Sequence, residues 1–375
     1  MNYNYLLMLL AFPLIWPWIS KRIWDQTINW KEMGLQIAIP VILISIVVGL
    51  GRYGQTADTE IWNGQVTAKH RIHDTYVESY DCFCTTQCSG SGDNESCYEV
   101  CQTCYRDHYT VDWYLSTTIG KIRLDYLDRL TKRVYDTPDP AQYSRAYVSE
   151  PCSLEFGYTN YIKAVPDSIF NYANKTTMAT FEGLIPQYPK VHSWYRVNRV
   201  LTPGLTIPDA ANMNQYLNER LRTIGAAKEA NIVVIIVKTP DQTYRHAIEE
   251  AWLGGKQNDV IVMIGASNYP TIDWVDTITL GANAGNSLMT VTMRDEILKH
   301  KTIEDGVAVM RTVADTVEKL FDRKAMDDFK YLEDEIKPPL WVIIIALILG
   351  IGGSLGLTLL FHRQDCFESY SRRYR

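Results

Sequence analysis

The chain has 375 residues, with 37 lysines and arginines against 43 aspartates and glutamates, for a formal net charge of −6. No basic stripe interrupts the acidic excess, which reads as spread along the chain, so nucleic acid is excluded as a partner. Three apolar stretches frame a polar body at about 52–337, too long for one minimal domain.

Residues 1–51 carry two of these stretches. YLLMLLAFPLIWPWI (5–19) is interrupted by Pro13 and Pro17. It lacks the basic start and small-residue cleavage site of a secretory leader, so it either spans a membrane or lies in its interface. In the interface, Trp16 and Trp18 would sit at headgroup level. LQIAIPVILISIVVGL (35–50) is uncharged, and its Pro40 is tolerable in a membrane helix. The third stretch, 341–361, has 21 residues and no charge, enough to span roughly 30 Å as a transmembrane helix. Its Gly352 and Gly356 form a small-xxx-small pair.

The loop 20–34 holds Lys21, Arg22 and Lys31, and the tail 362–375 holds Arg363, Arg372, Arg373 and Arg375. The body-side flanks offer Arg52, Lys330 and Lys337. The positive-inside rule therefore places the loop and the basic tail in the cytoplasm and the body outside it, as expected for a protein of a bacterial inner membrane.

Residues 52–204 read as β-rich. HYTVDWYLSTTIG (108–120), KIRLDYL (121–127) and VHSWYRVNRVL (191–201) are dense in β-branched and aromatic residues. Six cysteines crowd into 82–104: Cys82, Cys84, Cys88, Cys97, Cys101 and Cys104. Strand-like flanks make this cluster the end of a long hairpin. In an oxidising space these thiols form up to three bridges, with fifteen pairings open. The competing chemistry is a Zn²⁺ site built from Cys82, Cys84, Cys101 and Cys104. His70, His73 and His108 flank the cluster and read as surface residues.

From 205 to 325 helix and strand patterns take turns. Pro208-Asp209 opens a helix with Met213, Leu217, Leu221 and Ile224 on its apolar face. NIVVIIV (231–237) and DVIVMIG (259–265) read as strands buried on both faces, and DTITLG (276–281) as a third strand. Thr292 and Thr302 begin capping-box patterns for two further helices. The order implies a Rossmann-like, mainly parallel α/β sandwich, followed by a linker at 326–340.

That order, with Trp252, Gly255 and Lys256 ahead of the second strand and Gly281 after the third, resembles the TPM domain family of membrane-anchored, mostly extracytoplasmic proteins. The resemblance implies phosphatase activity or Ca²⁺ binding, as in some members. The chain departs from the family's Asp-Asn-Gly-Val turn, with Gln257-Asn258-Asp259-Val260 in its place. The N-terminal half, with DTEIWNGQV (58–66) and the cysteine hairpin, resembles uncharacterised membrane proteins of large tailed bacteriophages.

No spacing places a nucleophile beside a base, and no phosphate loop or EF-hand is present. The loops at the carboxyl ends of the strands hold Asp241, Asp273 and Asp276, the candidate ligands for Ca²⁺ or Mg²⁺. The sequence therefore predicts an α/β plus β, membrane-anchored protein that binds membrane lipid and an envelope protein partner or a second copy of itself. Weak hydrolase chemistry at the three aspartates is the alternative.

Overall fold

The computed structural model describes residues 4–24, 28–89, 96–130, 137–165, 175–280 and 285–363. Two sequences that match the glycosylation acceptor pattern, Asn94-Glu-Ser and Asn174-Lys-Thr, lie outside them, as do Gly281, the tail cysteine Cys366 and the arginines beyond 363. Helix α1 (Asn4–Ile23) packs against α2 (Trp30–Thr56) and α10 (Leu340–Arg363). Among the described residues, α2 and α10 are long and apolar enough to cross a membrane. Leu9, Ile44, Val48 and Ala346 form the buried seam of the bundle. Trp16 donates to Thr358 Oγ1 at 3.0 Å, and Ser20 to Gln36 Oε1 at 2.9 Å, which satisfies polar groups inside an apolar packing. Asn29 and Glu32 close a capping box that fixes the start of α2.

No linker separates α2 from the body. The helix runs past the expected end at 51 to Thr56, and strand β1 (Ala57–Ser89) begins at the next residue. β2 (Ser96–Thr117) pairs with it antiparallel, and β3 (Gly120–Arg129) pairs with the base of β2. After α3 (Ala141–Arg145), β4 (Pro151–Thr159) returns to the first residues of β1, giving the sheet order β3-β2-β1-β4. Val66, Leu115, Ile122, Cys152 and Trp194 make its core.

Two short helices, α4 (Tyr161–Ala164) and α5 (Lys175–Thr180), lead to the second sheet. It contains β5 (Val200–Leu201), β6 (Asn231–Val237), β7 (Asp259–Gly265) and β8 (Trp274–Thr279), in that order. β5, β6 and β7 are parallel, while β8 runs antiparallel to β7. Helices α6 (Ala210–Lys228), α7 (Tyr244–Ala251), α8 (Ser287–Leu298) and α9 (Gly306–Leu320) accompany this sheet. Every residue of β6 and β7 is buried, as expected for strands covered on both faces. Met213, Leu217, Leu221 and Ile224 of α6 meet Met310, Val313 and Val317 of α9 on one side, and Phe181, Tyr244 and Trp252 fill the other.

Four expectations need correction. The strand expected over 191–201 shrinks to Val200–Leu201 and belongs to the second sheet, because Arg199 turns inward and draws this segment onto β6. The α/β unit thus recruits residues from before 205. Thr292 lies inside α8 rather than at its start. For α9 the cap is Asp305, which accepts from Ala308 N at 2.9 Å, rather than Thr302. Finally, the expected linker 326–340 contains a 3₁₀ helix, Met326–Glu335, whose Met326 packs with Ile162 and Leu280.

Candidate functional site

Above the last pairing with β3, at Thr75↔Tyr109, β1 and β2 continue alone as a two-stranded arm. At about 3.3 Å per residue, β1 from 76 to 89 reaches roughly 45 Å. A lone hairpin of this kind is marginal in water. Three nested disulfides supply the missing constraint: Cys82–Cys104, Cys84–Cys101 and Cys88–Cys97. All six clustered cysteines are therefore bridged, and the thiolates of the alternative Zn²⁺ site are consumed. Cys84, Glu99 and Cys101 are the one group of potential ligands that cluster within 4.8 Å among the described residues, but two of the three are bonded to each other.

The ladder breaks register between Cys82 and Thr85. Phe83 sits in that break with φ of 48°, flanked by two disulfide-bonded cysteines, and the residue is 78% exposed. A positive φ at an aromatic residue is uncommon, since Cβ crowds the backbone there. Val77, Tyr98, Val100 and Tyr105 are also exposed along the arm.

Lower down, His108 is held between Asp128 of β3 and Glu78 of β1, at 2.9 and 2.8 Å, and stacks on Tyr76. The Asp128 contact, joined by Glu78, raises the imidazole above its usual range and holds the Asp128 carboxyl below its own. Tyr76 donates to the same Asp128, which pushes its phenol up to about 12.

The acidic excess is not spread along the chain. Residues 76–108 hold six carboxylates against Arg106 alone, a net −5 out of the whole chain's −6. The arm therefore carries nearly all the uncompensated charge.

A second polar cluster lies where β1 docks on the α/β unit. Arg199 is fully buried, and its guanidinium donates to Asn63 of β1, Ser153 of β4, Asn218 of α6 and Asn231 of β6. Burial lowers it to about 10, so it remains charged at neutral pH. Asn231 passes the contact on to Asp259 at 2.8 Å, which also accepts from Tyr188 at 2.9 Å. Burial raises the Asp259 carboxyl against these donors. Asp58 pairs with Lys256 at 2.5 Å, and Glu60 with Arg323 at 2.6 Å. For Asp58 burial pushes upward, but Lys256 and Asn160 outweigh it and the carboxyl falls below its usual range. Asn258 donates to the Ile61 carbonyl at 2.8 Å. This cluster docks the first sheet on the second.

The three candidate aspartates share one end of the second sheet, but each is held separately. Asp241 Oδ1 accepts from Thr243 N, and Asp273 Oδ2 from Ser267 N. Asp276 takes Thr277 N and the Arg245 guanidinium. Their oxygens do not form a group within 4.8 Å of one another. Cys152 is a buried thiol pushed up to about 12 by desolvation, which makes it a poor nucleophile. The sequence reading missed the dock because Asp58 and Glu60 alternate along a strand like solvent-facing residues. Comparison with family models, curated proteins and solved structures finds no match.

Proposed function

We propose that the chain is a membrane-anchored binding protein whose disulfide-laddered arm presents Phe83 to an envelope partner. The observation that carries this reading is the arm itself: a two-stranded projection with exposed apolar side chains and most of the chain's net charge, stapled where no core could hold it. A stapled segment keeps such side chains fixed before contact, which lowers the ordering cost of binding. Five excess carboxylates favour a partner with a basic surface. The bundle of α1, α2 and α10 supports anchorage, and the bridged cysteines agree with a body outside the cytoplasm. The TPM-like reading of 205–325 rests on its strand and helix order.

A photocrosslinking residue at position 83 tests the reading in intact cells, with exposed Glu304 as the control position. A discrete adduct at 83 that is absent at 304 is expected. Equal labelling at both positions would remove the arm from the recognition role. Protease added to intact cells checks the orientation independently: cleavage near Arg375 would reverse it.

A further inference from the structure

Strand β1 has two edges, and one of them is open over most of its length. β2 covers the inner edge as far as Ser89. On the outer edge β4 pairs with Ala57–Gln65, and the backbone of Ser149 and Glu150 closes on Val66. Among the described residues, no strand pairs with this edge beyond Val66. The β1–β2 register is unbroken from Ala68 to Cys82, and residues 71–79 are all exposed. The Thr75 amide donates to the Asp74 carboxylate at 2.8 Å rather than to β2. Backbone direction alternates along a strand, so the odd-numbered residues from Lys69 to Asp81 turn their N–H and C=O groups outward.

Open edges of this kind are normally blunted by proline, by a bulge or by a projecting lysine. This stretch holds no proline, and its register breaks lie at its two ends. Lys69 is turned onto its own body, donating to the Ala146 carbonyl at 2.7 Å. We infer that this edge pairs with the same edge of a second copy of the chain, antiparallel and centred on Thr75. Charge decides both occupant and direction. Lys69 and Arg71 stand in the first part of the stretch, and Asp74, Glu78 and Asp81 in the rest. Parallel copies in register would set like charges side by side. The antiparallel register centred on Thr75 uses the whole unbroken run and opposes Lys69 to Asp81 twice, with no like charges directly opposite. Sliding it by two residues puts Asp74 opposite either Asp74 or Glu78 of the second copy. Such a twofold contact is closed, and residues 69–81 of each copy pair over about 44 Å. By the same register the second copy's Ala57 falls beyond Ser89, so the two anchors leave from opposite ends of the joined sheet.

Cysteine placement in the full chain in detergent reads the register, with Cys366→Ser to remove the tail thiol. Thr75→Cys should give a disulfide-linked dimer on mild oxidation, because facing Cα atoms in a hydrogen-bonded pair lie about 5.5 Å apart. Val77→Cys should not, since its counterpart lies roughly 13 Å away along the ladder. Lys69→Asp should weaken dimerisation about tenfold by sedimentation, and adding Asp81→Lys should restore it. Thr75→Pro removes an outward amide and leaves the bonds to β2, so it should give a monomer with the arm's three disulfides unchanged. Equal linkage through Thr75→Cys and Val77→Cys, or a wild-type chain that sediments as a monomer at every concentration, would overturn the pairing. Crosslinking from position 83 reads the arm's partner separately, so either proposal can fail alone.

Discussion

Replacing Arg199 with Met probes the dock between the two sheets. The side chain is fully buried and donates through Nε to Asn218, through Nη1 to Asn231, and through Nη2 to Asn63 and Ser153. Charge-assisted bonds of this kind contribute about 1.5–3 kcal/mol each, but four such terms do not simply add. Asn63 Oδ1 still accepts from Ser153 Oγ at 2.8 Å after the change, and Asn231 Oδ1 keeps a weak donor in Asn63 Nδ2 at 3.3 Å. Asn218 Oδ1 is left without its donor. Asp259 also loses the nearby positive charge that favours its ionised form. The expected loss is therefore about 3–5 kcal/mol, the range for breaking a buried ionic network from one side.

Differential scanning calorimetry of the full chain in detergent should show the body's transition fall by about 10 °C. Arg199→Lys should recover only part of this, since one ammonium cannot reproduce a planar fork on four elements. Arg220→Met is the control: its partners Asp315 and Glu318 are exposed, so the change should cost under about 1 kcal/mol. A loss below about 1 kcal/mol for Arg199→Met would show that the buried fork does not hold the sheets together.

Gly225 of α6 lies against β1, where an added Cβ would meet the Asn63 carbonyl oxygen at 2.8 Å. Gly225→Ala should cost about 1–3 kcal/mol in thermal unfolding, and a neutral result would mean that α6 can shift away. Cys88→Ser with Cys97→Ser opens a bridge of sequence separation 9 and should destabilise the arm by about 2.5 kcal/mol, read as faster amide exchange around it with the α/β unit unchanged. The His108 clamp should depend on pH. Its raised imidazole pKa means that the stabilisation is complete below the ordinary value of about 6.5 and is lost as pH rises through the folded value. The depressed Asp128 carboxyl sets the acid side, where the contribution is present above about 3.9 and fails as pH falls through the lowered value. An NMR midpoint for His108 at or below 6.5 would refute the clamp, and His108→Gln should abolish the alkaline loosening. Calcium titration should show no site that disappears when Asp241, Asp273 and Asp276 are all changed to Asn, because each already serves a separate donor.

The second sheet was legible because its signals are local. Continuous apolar runs at 231–237 and 259–265 fit only strands covered on both faces, and both are fully buried. The helical spacing of Met213, Leu217, Leu221 and Ile224 likewise found its core. The hairpin was legible from its flanks, whereas its bridge order was not, because pairing depends on register. What misled was polarity at interfaces. Asp58 and Glu60 alternate along β1 with no sequence sign of burial, yet both are buried against Lys256 and Arg323 of distant segments. The Gln257-Asn258-Asp259 turn read as a departure from a family pattern. In the structure all three residues are buried: Gln257 meets Tyr158 of β4 and the Lys324 carbonyl, Asn258 meets β1 at Ile61, and Asp259 is held by Asn231 and Tyr188. Partners this far along the chain leave no trace in a local window.

One strand connects every part of this molecule. β1 follows α2 without a break, pairs with β4 at its base, docks Asp58, Glu60 and Asn63 on the α/β unit, and ends in the disulfide ladder. A load on Phe83 would therefore pass along a paired strand to the end of α2, with no flexible joint between them. The dock at Asn63 and Arg199 ties that strand to the α/β unit through buried hydrogen bonds. Inserting Gly-Gly-Ser between Thr56 and Ala57 separates the two roles: the fold should survive, because the residues on either side keep their partners at Thr159 and Asn160. Crosslinking at 83 should persist if the arm only binds, and any response of the bundle to arm occupancy should vanish if the strand transmits. A bundle that responds equally with the insertion in place would show that force does not travel through β1.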